Sequence, residues 1–392
     1  MASIQFAIPV VWFLTSSTFS ALALNSSQQQ RFLLLPLIFI SGILSFRALP
    51  LLTWPLGLNS TWGLGVSVWM LHITALLYHN NPIPQRLDQA QPCVQNDWAT
   101  TYKLWTNTRL LDGSRSLDRH SLAAAAYRSR LKFTVFTISK ICASIAVDRF
   151  VFMRALQAMH LNLFDFAAER EVYIRRVLLG APITLSETLL RAFLSIHWIW
   201  SAYFLINTAH HTLAILFVVV LRLDEPGEWP PLFGNPLEAY TVQRFWGKFW
   251  HRLAYRPYLA YAQICADKLL KLPRNSRVRR MVVIFTIFLF SGVTHTLVAY
   301  QLGDRCGKTR DILFFIANFL AGALEMVVWE GVQLLATRHR LSKHFKHPAA
   351  LLLQRLFGYI WVWTFFAWVV PKWHYAKVYC TLEDFYQAGL QQ

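Results

Sequence analysis

Residues 281–300 read MVVIFTIFLFSGVTHTLVAY, an apolar run that carries no formal charge and one histidine, His295. A helix rising about 1.5 Å per residue needs about 20 such residues to cross a hydrocarbon core of about 30 Å. The run therefore reads as a membrane-spanning α-helix, and its neighbours extend that reading. Immediately before it lies the basic string KLLKLPRNSRVRR at 268–280, and before that the aromatic-basic string RFWGKFWH at 244–251, which closes on His251. An ionisable side chain at membrane depth is costly and marks a candidate site. An imidazole is also the side chain best suited to exchange a proton near neutral pH.

Composition agrees. Of 392 residues, 55% are hydrophobic, 15% aromatic and 15% charged, whereas soluble chains carry about 25% charged residues. The fold class is all-α, a polytopic integral membrane protein, and no Gly/Ser/Pro linker divides the single membrane-embedded domain expected over 1–392. The 16 Trp and 14 Tyr suit interfacial belts. Cys93, Cys142, Cys265, Cys306 and Cys380 form no CxxC pair and read as free thiols without a role. The net charge of +18 sits in loops such as 268–280 and 338–346. That is the positive-inside pattern of cytosolic loops, not a nucleic-acid surface.

Along the chain, apolar runs at 4–24, 32–53 and 61–79 give three helices, the first uncleaved with its N-terminus outside the cytosol. Residues 80–180 are polar and amphipathic and are placed in the cytosol, with 131–155 as an interfacial helix because Lys140, Asp148 and Arg149 interrupt it. Residues 186–222 are long enough for two minimal spans of about 17 residues, joined at Asn207-Thr208-Ala209-His210-His211. Spans at 281–300, 311–334 and 351–371 bring the total to about eight, with both termini lumenal. Loops 80–185, 223–280 and 335–350 then face the cytosol. Of the sequons, Asn59 falls in a lumenal loop and Asn25 in a short cytosolic one, where it stays unused.

Between 224 and 252 runs DEPGEWPPLFGNPLEAYTVQRFWGKFWHR, followed by SGVTH at 291–295. The three elements, Pro-Pro-Leu-Phe-Gly (230–234), Phe-Trp-Gly-x-x-Trp-His (245–251) and Ser-Gly-x-x-His (291–295), resemble in order and spacing the wax synthase-like membrane-bound O-acyltransferases, the branch fungi use to acylate secondary metabolites. The resemblance is strongest over 225–335. Arg244 stands where that family often has Asp, and Lys248 and Phe249 replace an inner basic pair. The helix DILFFIANFLAGALEMVVWE adds Asn318 and Glu325, seven residues apart on one face.

The resemblance implies transfer of an acyl group, acetyl favoured, from acyl-CoA to a hydroxyl of a lipophilic acceptor such as a terpenoid, in the endoplasmic reticulum membrane. Acyl-CoA is a cosubstrate, with no permanently bound cofactor and no metal. Residue chemistry suits this. His295 is the candidate general base, and His251, at the cytosolic rim, the candidate to orient the thioester or stabilise an oxyanion. Trp246 and Trp250 would wall a tunnel or stack on adenine, Lys248 and Arg252 would meet phosphates, and Ser291, Asn318 and Glu325 complete the substrate-binding set, with Glu325 reading equally as a structural hydrogen-bonding partner. The competing readings are a long-chain wax ester synthase, a transporter and a non-catalytic scaffold. His210-His211 and His344-x-x-His347 echo di-iron histidine boxes, but that chemistry needs several more such clusters.

Overall fold

The computed structural model describes residues 5–52, 57–78, 98–109, 130–307, 309–339 and 347–390. The described part of loop 80–129 is thus residues 98–109; the rest of that loop, Cys93 and His344 lie outside the described residues. The main helices are α1 (Ala7–Leu24), α2 (Gln28–Arg47), α3 (Leu58–Tyr78), α4 (Trp98–Thr106), α5 (Arg130–Val147), α6 (Met153–Ala158), α7 (Leu185–Ile215), α8 (Tyr255–Ile264), α9 (Arg277–Gln301), α10 (Arg310–Arg338) and α11 (Pro348–Leu390). Among the described residues seven helical segments are long and apolar enough to cross a membrane. A polytopic all-α membrane protein is what these segments make, because a helix satisfies its own backbone where no water can.

The chain divides into two compact units, Met1–Ala123 with Arg252–Asp304, and Ala124–His251 with Arg305–Gln392. In the first, α1 and α2 form a hairpin whose serines bond across it: Ser16 Oγ donates to Ile38 O at 2.8 Å, and Ser45 Oγ to Pro9 O at 2.7 Å. Small hydroxyl residues let apolar helices approach closely and give them a polar tie. Ala23, Ile38, Trp69, Ile73 and Leu77 make the adjoining core.

In the second unit the polarity is inside out relative to a soluble bundle. On α10, Asp311 and Asn318 are buried, while Leu313, Leu320 and Val327 are exposed. Asp311 accepts from Lys377 Nζ at 2.8 Å and from Trp373 Nε1 at 2.7 Å, both on α11. Buried Glu187 takes Arg170 and Arg176, each at 2.6 Å. Both of these buried carboxylates are thus paired, as burial of a charge requires.

Two expectations are corrected here. Residues 186–222 form one unbroken helical segment, Leu185–Val220, not two spans. The polar join at 207–212 holds no Pro or Gly and bonds within the helix: His211 Nδ1 lies 2.6 Å from Asn207 O, and Thr212 Oγ1 donates to Thr208 O. Side chains that return to the preceding turn are compatible with a continuous helix. The cysteines are not all free either, because Cys306 and Cys380 form a disulfide with Cα atoms 6.4 Å apart. They are 74 residues apart, brought together by the packing of α10 on α11, so no short spacing announces the pair. Cys142 and Cys265 are free.

Candidate active site

The segment 224–251 follows α7 inward from its C-terminal end. Asp224 N–H bonds Phe217 O, the Trp229 ring lies 5.0 Å from His210, Phe233 lies 4.9 Å from Tyr203, and Trp250 lies 5.1 Å from Trp198. Each successive contact is further from Val220. Tyr203 is about 27 Å along the axis from Leu185 and about 26 Å from Val220, at about 1.5 Å per residue. The His251 ring lies 5.4 Å from Phe233, so His251 is level with the middle of this helix. The string thus runs back along α7 to the middle of that helix. Its aromatic residues, Trp229, Phe233, Phe245, Trp246, Phe249 and Trp250, are what make that depth favourable. Their polar neighbours are a minority in the motif.

Backbone at such depth must find partners inside the protein, and here it does. Glu325 on α10 accepts from Val242 N at 2.6 Å and Gln243 N at 3.0 Å, and also from Trp361 Nε1 at 2.7 Å. Gln243 Nε2 donates to Gly322 O at 2.6 Å. Residues 245–249 then wind as a π-turn closed by Trp250 N–H to Phe245 O at 2.7 Å, a wider turn that recurs at functional sites. Asn318 accepts from Trp246 Nε1 at 2.9 Å while its own amide donates to Phe314 O at 2.8 Å.

The first motif is built against the second. Gly234 N–H donates to Phe249 O at 2.8 Å, and a Cβ on Gly234 would stand 2.0 Å from Lys248 O. Only glycine permits this approach of backbone to backbone. Phe233 packs edge-on against Trp250 at 5.5 Å. Trp246 and Trp250 meet edge to face at 5.4 Å, so their spacing of four brings them together despite the π-turn. Lys248 is exposed.

Trp198 is the hub of this cluster and was invisible in the motif reading. Its ring lies within 5.1 to 6.5 Å of Trp250, Phe366, Phe314, Phe245, Trp373 and Trp246. It is buried, and its indole Nε1 has no protein acceptor.

His295, Ser291 and Arg252 belong to the first unit, and His251, Trp246, Lys248, Trp250, Asn318 and Glu325 to the second. Ser291 and His295 are one turn apart on α9 and share a face, both partly buried. Beside them Tyr258 of α8 donates to Thr294 Oγ1 at 3.0 Å. Burial pushes its phenol up to about 12, so it remains a donor at neutral pH. Arg252 is exposed, its guanidinium 5.4 Å above the Tyr255 ring. Buried His72, which the motifs did not flag, places Nε2 2.9 Å from Leu104 O.

Comparison with known proteins meets the same segment. Residues 229–317 match the membrane bound O-acyl transferase family. The chain is 33% identical over 172 residues to the acetyltransferase spyB of Aspergillus fumigatus, covering 43% of this chain and 29% of that protein. It is 33% identical over 181 residues to the acetyltransferase atnC of Arthrinium sp, covering 46% and 40%. With the acetyltransferase ataH of Aspergillus terreus it shares 31% identity over 173 residues, covering 42% and 52%. The matched part therefore spans about half or less of these relatives' length. No solved structure matches. The resemblance read from the motifs is to these fungal acetyltransferases.

Proposed function

We propose that the chain transfers an acyl group, acetyl favoured, from acyl-CoA to a hydroxyl of a lipophilic acceptor of the terpenoid class, in the endoplasmic reticulum membrane. The acceptor oxygen attacks the thioester carbonyl, the C–S bond breaks, and the hydroxyl proton passes through a base to the departing thiolate. The products are an ester and free CoA, and no covalent enzyme intermediate is needed.

One observation carries this reading. A string of aromatics closing on a histidine is drawn to mid-helix depth, where Glu325 of α10 accepts the backbone N–H groups of Val242 and Gln243. Such an arrangement excludes water, which strengthens fixed donors and prevents hydrolysis of the thioester. His295 on its apolar helix is the base that takes the hydroxyl proton. His251 donates to the carbonyl oxygen as negative charge develops. The buried N–H of Trp198 is a further donor for a substrate oxygen, and Trp246 and Trp250 form apolar walls. Lys248 and Arg252 meet the CoA phosphates, and Ser291 lines the hydroxyl side. Asn318 and Glu325 act by holding the string. The printed names of the relatives favour acetyl.

The test supplies microsomes carrying the protein with acetyl-CoA or palmitoyl-CoA and a panel of hydroxylated terpenoids and fatty alcohols. Acetyl ester and free CoA in equal amounts are expected. Palmitoyl esters of fatty alcohols alone would overturn the acetyl assignment, and no CoA release with either donor would overturn the reaction.

A further inference from the structure

We propose that residues 130–158 are an eighth crossing of the bilayer, with their apolar face against lipid hydrocarbon. Residues 159–187 then lie on the membrane face opposite the entrance of the 224–251 string. The inference is independent of the reaction assigned above.

The register with α7 is the first ground. Phe133 packs with Ala214 and Val218. Further along, Asp148 Oδ1 accepts from Trp200 Nε1 at 3.1 Å, and Phe152 stacks on Trp200 at 4.9 Å. At the far end Ala158 and Met159 share a groove with Leu185 and Leu189. As one number rises the other falls, so the two segments run antiparallel over their whole length. At about 1.5 Å per residue, 130–158 is about 43 Å long, more than the hydrocarbon core of about 30 Å. A helix paired antiparallel along a crossing helix crosses too.

Exposure and charge are the second. Leu131, Val135, Phe136, Ile138, Ile145 and Phe150 are exposed, continuous with exposed Leu189, Ile196, Leu213 and Val220 on the neighbouring span. A face of that kind fits hydrocarbon. Of the three charges that suggested an interfacial helix, Arg149 is exposed and the other two have neighbours on the segment or on α7. Asp148 has the indole N–H of Trp200, and the Lys140 ammonium lies 4.2 Å above the Phe136 ring. Arg130 is at the end of the segment, paired with Glu225 at 3.0 Å.

The partners of 159–187 identify the two sides. Glu171 pairs with Arg310 at 2.9 Å, and Phe166 packs edge-on against Tyr375 at 5.4 Å. Arg310 is four residues from Cys306, and Tyr375 five from Cys380. A disulfide forms and persists on an oxidising side. The 159–187 face is therefore the lumenal one, and the string enters from the reducing face marked by Arg130 and Glu225.

The experiment uses the full chain in sealed microsomes with Cys93, Cys142 and Cys265 replaced by Ser, and single cysteines introduced as His160→Cys, Arg175→Cys or Gly227→Cys. A membrane-impermeant maleimide should label Gly227→Cys in sealed vesicles, and His160→Cys and Arg175→Cys only after detergent. Cys306 and Cys380 should react only after detergent and reductant together. Labelling of His160→Cys and Arg175→Cys in sealed vesicles, alongside Gly227→Cys, would overturn the crossing. Agreement of two positions on one face guards against a local effect of either substitution. Direct labelling of Cys306 and Cys380 in sealed vesicles without reductant would overturn the assignment of sides.

Discussion

The carboxylate of Glu325 accepts the backbone N–H of Val242 at 2.6 Å across 83 residues of sequence, and with that bond α10 fixes the approach to the aromatic string at 244–251. The same carboxylate holds Gln243 N–H and the indole of Trp361. Its place on the family-like helix face made it a candidate for either a substrate contact or a structural hydrogen-bonding partner. Its hydrogen bonds make it a positioning residue.

Glu325→Ala leaves three donors without their acceptor; the N–H of fully buried Val242 alone is worth about 1–3 kcal/mol. The expected outcome is a lower melting temperature in detergent and a drop in kcat/KM of about tenfold or more. Glu325→Gln, which keeps one acceptor oxygen, should lie between. Normal turnover in Glu325→Ala would show that the string does not depend on this clamp.

Gly234→Ala is the smallest possible change, yet its Cβ would meet Lys248 O at 2.0 Å. The two motifs must part, breaking the bond from Gly234 N–H to Phe249 O. Little folded protein, or folded protein without acyl transfer, is expected. A Gly234→Ala protein with normal size-exclusion behaviour and normal turnover would contradict the packing of the motifs on each other.

Trp198→Phe keeps a ring in the aromatic cluster and removes an N–H that has no protein acceptor. Stability should change far less than in Trp198→Ala, where loss of a buried aromatic costs about 3–5 kcal/mol. If the N–H serves a substrate oxygen, kcat/KM in Trp198→Phe falls by about tenfold or more, as for loss of a charge-stabilising donor. Unchanged kinetics would make this indole a packing element only.

How much of this was legible before the structure depends on range. Apolar runs report helices directly, because a bilayer leaves the backbone no alternative, and the spacing of PPLFG, RFWGKFWH and SGVTH marked the candidate segment. The path of that segment was not legible. Its charges, Asp224, Glu225, Glu228, Glu238, Arg244 and Lys248, suggest a solvated loop, and only contacts with Tyr203, Trp198 and Glu325 reveal its path along α7. Trp198 lies in a run with no motif around it. Asp148 and Lys140 look like breaks in a span until Trp200 and Phe136 are seen beside them. Cys306 and Cys380 are too distant for any spacing rule.

Lys248→Ala tests where the acyl donor sits. An exposed ammonium that meets phosphate binds ground and transition states alike, so KM for acyl-CoA should rise while kcat changes little. Added salt should weaken the wild-type enzyme more than the variant, since exposed charge interactions are screened. An unchanged KM would place the CoA phosphates elsewhere.

The most direct measurement is turnover of His295→Ala in microsomes at wild-type expression, followed as CoA release with acetyl-CoA and a hydroxylated terpenoid. The side chain removed is a polar one on an apolar helix, so membrane insertion should survive. A base that takes the hydroxyl proton contributes about a hundredfold or more. A hundredfold loss with normal expression is the expected result. Near-normal turnover in His295→Ala would contradict the catalytic assignment and leave this histidine a packed residue of its helix.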